Sequence, residues 1–188
     1  MPDLPSLSTK TILITGATNG IGKAAALAIA REGGRIVIAG RNPQKTEATA
    51  AELRQASGNP AVDTLVADLS SLAEVRRLAA EFTARYDRLD VLVNNAGAFF
   101  MRREENDDRL AKTFALTHLS YFLLTNLLLD TLKALIPDDP LVRTEIIGTF
   151  QAHYKALAKT NMPITQARAL LVGPRAATVQ ARRPLTEF

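Results

Sequence analysis

The feature that most constrains the fold is a glycine-rich turn, TGATNGIG, at residues 15–22. It follows the apolar run 12–14 directly and opens an alanine-rich helical pattern at 21–31. A strand, a glycine-rich turn and a helix in this order bind phosphate groups, because glycine lets the ligand come close and the first N–H groups of the helix attract an anion. The turn therefore predicts an α/β chain that binds a phosphorylated ligand.

Strands and helices alternate along the chain. The pattern predicts strands at 11–15, 35–39, 61–67 and 89–93, and helices at 21–31, 43–56, 72–82 and 108–135. Strands that are apolar on both faces belong to a parallel sheet covered by helices, and right-handed crossovers give it the order 3-2-1-4, with 144–148 as a candidate fifth strand. A ligand binds such a sheet where the order reverses, and Gly16 and Asn94 stand at the two strand ends that meet there.

Composition excludes several chemistries. The chain has 188 residues, enough for one domain with a substantial core, and it has no cysteine, which removes disulfides, thiolate zinc sites and cysteine nucleophiles. Its two histidines, His118 and His153, are far apart in sequence, so no metal site is expected. The first residues lack the pattern of a signal peptide, and the apolar segment 121–136 is too short and too interrupted to span a bilayer. We therefore expect a cytoplasmic protein without membrane contact.

The C-terminal part differs in charge from the rest of the chain. Residues 151–188 hold six Lys/Arg and one Asp/Glu, whereas residues 1–150 hold 17 Lys/Arg and 18 Asp/Glu. The basic residues are sparse, so a solvated or poorly ordered end explains them better than nucleic-acid binding does. We divide the chain into a domain at 1–136 and a divergent segment at 137–188, which holds the candidate fifth strand, a candidate helix at 151–159 and the basic tail.

Two more motifs end strands of the predicted sheet. Asp68-Leu69 follows the third strand, Asn-Asn-Ala-Gly at 94–97 follows the fourth, and residues 113–128 read TFALTHLSYFLLTNLL. With the turn at 15–22, these motifs resemble the short-chain dehydrogenase/reductase family over about residues 9–136, and within it the retinol-dehydrogenase-like or WW-oxidoreductase-like branch. The resemblance implies a Rossmann-like doubly wound sheet and a dinucleotide cofactor. This chain ends before the strands that close the sheet in the family, so we expect the sheet to be truncated at its C-terminal side. The resemblance also implies hydride transfer between a nicotinamide and a small alcohol or carbonyl substrate.

The residues expected to hold the cofactor fall into three groups. The first is the glycine-rich turn, whose N–H groups approach the pyrophosphate: Gly16, Thr18, Asn19, Gly20, Ile21 and Gly22. The second, by resemblance, is Asp68, which accepts from the adenine amino group, with Leu69 packed on the ring. The third, by resemblance, lines the ribose and nicotinamide side: Asn95, Ala96 and Gly97. The alternative for this last segment is an ordinary strand-ending turn.

Arg41 discriminates between the two dinucleotides. It ends the second strand, 19 residues after Gly22. An acidic residue at this place accepts from the 2′-hydroxyl of NAD, whereas a guanidinium suits the 2′-phosphate of NADP, and Lys45 one turn into the next helix adds to that pocket. The alternative is a solvated surface arginine. NADP(H) is therefore the preferred cofactor, with NAD(H) as the second choice.

The catalytic motif of the family is not found in this sequence. The family uses a tyrosine with a lysine four residues later on the same helix face, so that the ammonium lowers the pKa of the phenol. None of the three tyrosines has a lysine at that spacing. Four candidates remain. Thr117 stands where the family has an asparagine, and Thr149 stands where it has a serine. Tyr154 and Lys159 form a tyrosine–lysine pair whose spacing is five residues and not four.

Two hypotheses for the function remain. In the first, the chain is an NADP-dependent oxidoreductase true to its family. In the second, it is a catalytically silent dinucleotide-binding module, such as a remnant or a truncated product. In either case the apolar part of the last predicted helix, at 114–135, is suited to pairing with a second copy, so a homodimer is a candidate assembly.

Overall fold

The computed structural model describes residues 7–98 and 100–133, which form a four-stranded parallel sheet with helices between the strands. The strands are β1 (Thr11–Thr15), β2 (Arg35–Gly40), β3 (Val62–Val66) and β4 (Val91–Val93). The helices between them are α1 (Gly20–Arg31), α2 (Pro43–Ser57) and α3 (Leu72–Arg85). A last helical region holds α4 (Lys112–Phe114), a π-helical turn (Ala115–Leu119), α5 (Ser120–Leu127) and α6 (Leu129–Lys133).

The strand order is β3-β2-β1-β4, which confirms the predicted α/β sheet. β1 pairs with β2 from Thr11 opposite Arg35 to Thr15 opposite Ala39, and on its other side it pairs with β4. The direction of the crossovers reverses at β1, so the crevice at the carboxyl ends of β1 and β4 is the place where a ligand of such a sheet binds. The candidate strand at 144–148, the candidate helix at 151–159 and the domain boundary at 136 lie outside the described residues.

Local sequence signals mark the starts of α2 and α3 and the end of α2. Asn42 Oδ1 accepts from the N–H of Lys45 at 2.8 Å, and Pro43 takes the first position of α2. Ser71 Oγ accepts from the N–H of Glu74 at 3.4 Å at the start of α3. α2 ends at Gly58, whose φ of 71° is readily adopted by glycine.

The core is built on the two central strands. All five residues of β1 are buried, and in β2 only the first residue, Arg35, is exposed. Ala26 and Ala30 of α1 are buried against this sheet, because their small side chains let the helix come close. Burying each large aliphatic side chain of these strands stabilises the fold by about 1.5–3 kcal/mol.

The last helical region begins later than predicted. The sequence pattern placed its start at residue 108, whereas α4 begins at Lys112. The reason is a turn in which the N–H of Leu110 donates to Asn106 Oδ1 at 2.9 Å and Arg109 adopts a left-handed φ of 59°. An asparagine that bonds to its own neighbouring backbone competes with the helix at this point.

A buried carboxylate ties β1 to β4 at the ends opposite the crevice. Asp90 has a side chain 6% exposed and accepts from the N–H of Thr11 at 2.8 Å, from Lys10 Nζ at 3.1 Å and from Arg88 Nε at 2.9 Å. Burial raises the pKa of this carboxyl, but the hydrogen bonds from Arg88, Thr11 and Lys10 outweigh burial and lower the pKa to about 2. The ionised form is therefore favoured in the folded state.

We expect Asp90→Asn to lower the free energy of unfolding by about 2 kcal/mol at neutral pH, because the native pKa lies well below its unfolded value. Since the folded pKa is depressed, the contribution is full above pH 4 and is lost as the pH falls towards about 2. Urea denaturation at pH 7, 3 and 2 measures the difference between the two proteins. Asp87→Asn, at an exposed aspartate nearby, is the control. A deficit of Asp90→Asn that is the same at pH 7 and pH 2 would contradict this account.

Candidate functional site

The crevice is formed by two loops that one hydroxyl group joins. The glycine-rich turn follows β1, and the segment 94–97 follows β4. Thr15 Oγ1 accepts from the N–H of Asn95 at 2.9 Å and from the N–H of Ala96 at 3.0 Å, and it donates to the carbonyl of Val93 at 3.3 Å. This buried hydroxyl therefore sets the distance between the two loops. Thr15 belongs to the glycine-rich motif, but its local sequence predicts no role for its hydroxyl.

The side chain of Asn95 strengthens the same connection. Its Nδ2 donates to the carbonyls of Thr15 at 2.9 Å and Gly16 at 3.1 Å. The amide thus holds the backbone of the turn, and Asn95 is half-buried between the loops. Of the other two residues predicted to line the nicotinamide side, Ala96 is buried and Gly97 is exposed.

Close packing explains two of the glycines in the turn. Gly16 has a φ of 67°, and a Cβ there would lie 2.5 Å from the Cα of Ala96. A Cβ on Gly22 would collide with Nδ2 of Asn95. No larger residue fits either position without moving the segment 94–97.

The start of α1 is open. Asn19 and Gly20 are exposed, the side chain of Asn19 makes no capping hydrogen bond, and the apolar side chain of Ile21 is 84% exposed. Uncapped N–H groups at a helix start carry partial positive charge and attract an anion. An exposed isoleucine beside them gives a ligand an apolar surface to cover.

Two exposed cations follow β2. Arg41 and Lys45 are both exposed, and Lys45 lies in the first turn of α2. Gly40, which precedes Arg41, is buried: a Cβ there would collide with Thr46 Oγ1 and lie 2.7 Å from Cγ2 of Thr18. Position 40 therefore has no room for an acidic side chain, and the first side chain available to a ligand after β2 is a guanidinium.

The predicted adenine contacts differ in exposure. Asp68 is exposed, and its Oδ1 accepts from the N–H of Ser70 at 3.0 Å and from Ser70 Oγ at 2.8 Å. Leu69 is only 5% exposed, so most of its side chain packs inside the protein. Asn106 Nδ2 donates to the carbonyl of Ser70 at 2.8 Å and connects this loop to the turn before α4.

The hydroxyl groups beside segment 94–97 bond to the chain itself. Thr117 lies in the π-helical turn, with its Cγ2 3.9 Å from the position of a Cβ on Gly97, and its Oγ1 donates to the carbonyl of Thr113 at 2.6 Å. Tyr121 donates its hydroxyl to the carbonyl of Ala96 at 2.7 Å, and burial raises the pKa of this phenol. The sequence did not predict a role for Tyr121 in this site, because its hydrogen bond to residue 96 has no local signal in the sequence.

Tyr86 bonds to β3 through its hydroxyl group. It follows α3, and its hydroxyl donates to Asp63 Oδ2 at 3.1 Å; burial, followed by the charge of Asp63, raises its pKa to about 12. The candidates Thr149, Tyr154 and Lys159 lie outside the described residues.

Two further properties concern the described part of the chain only. Residues 7–98 and 100–133 bring together no group of three histidine, aspartate or glutamate side chains that could hold a metal ion. None of the helices in these ranges is long and apolar enough to cross a membrane.

Comparisons with known proteins bear on the same region. The family model described as short chain dehydrogenase matches residues 10–136. Human retinol dehydrogenase 13 is 42% identical over 136 residues, which cover 72% of this chain and 41% of that protein. Human polyprenol dehydrogenase is 33% identical over 187 residues, which cover 100% of this chain and 56% of that protein. The second alignment extends beyond residue 136, through the segment predicted to diverge. The chain thus spans about half the length of these curated relatives or less.

Solved structures share the fold. The Pseudomonas aeruginosa RhlG/NADP active-site complex has a TM-score of 0.61 and 32% identity, over 71% of this chain and 52% of that one. An NADH-dependent reductase, A1-R′, complexed with NAD has a TM-score of 0.58 and 32% identity, over 68% and 54%. Both dinucleotides therefore occur among the structural neighbours.

We expect Gly22→Ala to lower the free energy of unfolding by roughly 1–3 kcal/mol, because the new methyl group displaces the amide of Asn95. Gly97→Ala is the matched control, since the nearest atom to its Cβ would lie 3.9 Å away, at an ordinary contact distance. Denaturation in urea compares the two variants with the unchanged protein. Equal stability of the two variants would mean that Gly22 and Asn95 are not in contact.

Proposed function

The chain belongs to the short-chain dehydrogenase family, and from this premise we propose that it binds NADP(H), in preference to NAD(H), in the crevice between the loops after β1 and β4. We propose further that it acts as an oxidoreductase that transfers hydride between the nicotinamide and a small alcohol or carbonyl substrate. The observation that carries the proposal is the joint made by Thr15 and Asn95, which holds a glycine-rich turn and an uncapped helix start beside the segment 94–97.

Each part of a dinucleotide has residues of matching chemistry. The N–H groups at the start of α1 suit the pyrophosphate, and the exposed side chain of Ile21 supplies apolar contact. Asp68, exposed and ordered by Ser70, suits the adenine amino group. Asn95, Ala96 and Gly97 are proposed to line the ribose and nicotinamide side, with Leu69 behind the adenine ring.

The preference for NADP(H) rests on the end of β2. An acidic side chain that would accept from a ribose 2′-hydroxyl has no room at Gly40, and Arg41 follows with its guanidinium exposed. Lys45 adds a second cation one turn into α2. Two cations without an acidic residue favour a 2′-phosphate over a 2′-hydroxyl.

The second candidate function is a silent dinucleotide-binding module. It is favoured by one observation: the two tyrosines of the described region already donate to other groups, Tyr86 to Asp63 and Tyr121 to the carbonyl of Ala96. Neither has a lysine four residues later. Within residues 7–98 and 100–133, no phenol is therefore set up to exchange a proton with a substrate. Pairing of two copies, a cytoplasmic location and the absence of nucleic-acid binding stay predictions of the sequence.

A pair of assays tests both candidates on the full chain. NADPH and NADH are titrated against the purified protein by fluorescence, and NADPH oxidation is then followed with a panel of aldehydes and ketones. We expect binding of NADPH in either case. Oxidation would establish the oxidoreductase, binding without oxidation by any member of the panel would favour the silent module, and absence of dinucleotide binding would overturn both.

Arg41→Asp should weaken NADPH binding roughly 10- to 100-fold, because one charge-assisted contact is lost and a repelling carboxylate is added. NADH binding should change much less, since it has no 2′-phosphate. Arg31→Asp, at an exposed arginine in the last turn of α1, matches the charge change away from β2. If both cofactors lost affinity equally in Arg41→Asp, the assignment of this pocket would be wrong.

A further inference from the structure

β3 is the outermost strand of the described sheet, and alternate residues along it point their backbone groups outward. The carbonyl of Ala61 and the N–H of Ala67 bond to β2 at 2.9 and 3.1 Å, and these bonds determine which residues of β3 turn their backbone groups towards β2. In a parallel pair the N–H and C=O groups of one residue lie on the same side. Val62, Thr64 and Val66 therefore present theirs to the outer edge. Such an unpaired edge is a template on which another strand can add.

Each of the three outward carbonyls accepts a hydrogen bond from an arginine. The pairs are Arg54 Nε to Val62 at 2.8 Å, Arg85 Nη1 to Thr64 at 3.1 Å, and Arg77 Nη2 to Val66. The arginines come from two helices, α2 and α3, and reach the same edge of the sheet. A single arginine–carbonyl contact is common on a protein surface. Here, all three outward carbonyls of β3 accept such a hydrogen bond.

Glutamates hold the three guanidiniums in place. The ion pairs are Glu47 with Arg54 at 3.0 Å, Glu81 with Arg85 at 3.2 Å, and Glu74 and Glu81 with Arg77 at 2.7 and 3.0 Å. Glu47 also accepts from the hydroxyl of Thr64 at 3.1 Å. Isolated surface pairs contribute little to stability, but a network in which every guanidinium bonds to both a carboxylate and a strand carbonyl restricts each side chain to one orientation.

We propose that these three arginines, which we call the arginine cap, close the β3 edge to strand addition. An added strand would lie about 4.8 Å from β3 and would need the carbonyls that the cap occupies. The strand excluded is β3 of a second copy, because two identical edges can pair antiparallel about a twofold axis. Association of the unchanged chain, where it occurs, uses another surface.

The cap is tested by the triple variant Arg54→Met, Arg77→Met and Arg85→Met in the full chain. Methionine is unbranched, matches arginine as far as the Nε position and suits a helix, but it donates no hydrogen bond. We expect its sedimenting mass to double relative to the unchanged protein as concentration rises. Hydrogen exchange followed by NMR should show new protection at the N–H groups of Val62, Thr64 and Val66, whereas in the unchanged protein these groups exchange readily.

The matched control removes three exposed arginines from the loop before α4, as Arg102→Met, Arg103→Met and Arg109→Met. It loses the same charge, and in Arg103 it also loses an ion pair with a glutamate, at 3.0 Å from Glu105. We expect it to keep the mass of the unchanged protein. If the triple cap variant does not unfold cooperatively, Arg85→Met alone, which frees the central carbonyl at Thr64, decides by the same two measurements.

Three results would overturn the proposal. The first is a folded cap variant that keeps the mass of the unchanged protein. The second is association that protects amides elsewhere and leaves residues 62, 64 and 66 unprotected. The third is equal association of the control, which would make net charge the cause.

Discussion

The crevice depends on one hydroxyl group. Thr15 Oγ1 accepts from two consecutive N–H groups and donates to one carbonyl, so it uses its full hydrogen-bonding capacity on the segment after β4. The hydroxyl is buried, and an N–H left without it would lose a hydrogen bond away from water. The position of the glycine-rich turn relative to segment 94–97, and with it the close approach of Gly16 to Ala96, follows from this contact.

The two ends of the crevice are built differently. At the end near β2 and β3 the charged groups Arg41, Lys45 and Asp68 are exposed, while local hydrogen bonds fix the start of α2 and the loop after β3. At the other end the hydroxyl groups of Thr117 and Tyr121 donate to backbone carbonyls of the chain. The first end keeps polar groups available to a ligand, whereas the second uses them to hold the backbone. This difference is the reason to test dinucleotide binding and turnover separately.

Local patterns predicted most of the fold. Apolar runs gave the four strands and their order, and Asn42-Pro43 and Ser71 marked helix starts, because each of these signals lies within a few residues of its effect. The start of α4 was predicted too early because the bond from Leu110 to Asn106 competes with the helix. The partners of Thr15, Asn95 and Tyr121 could not be predicted from local patterns. These contacts span from 25 to 81 residues and depend on the assembled sheet.

The joint between β1 and β4 has a consequence for the order of events during synthesis. Thr15 leaves the ribosome before Asn95, because the amide of Asn95 that holds its carbonyl follows 80 residues later. Contacts between distant parts of a chain form late, because the loop between them must close first. The glycine-rich turn therefore lacks the hydrogen bonds from Asn95 until the fourth strand and the segment after it have emerged. A nascent chain that ends before Asn95 has the complete glycine-rich motif in its sequence, but it lacks the partner that fixes the shape of the motif.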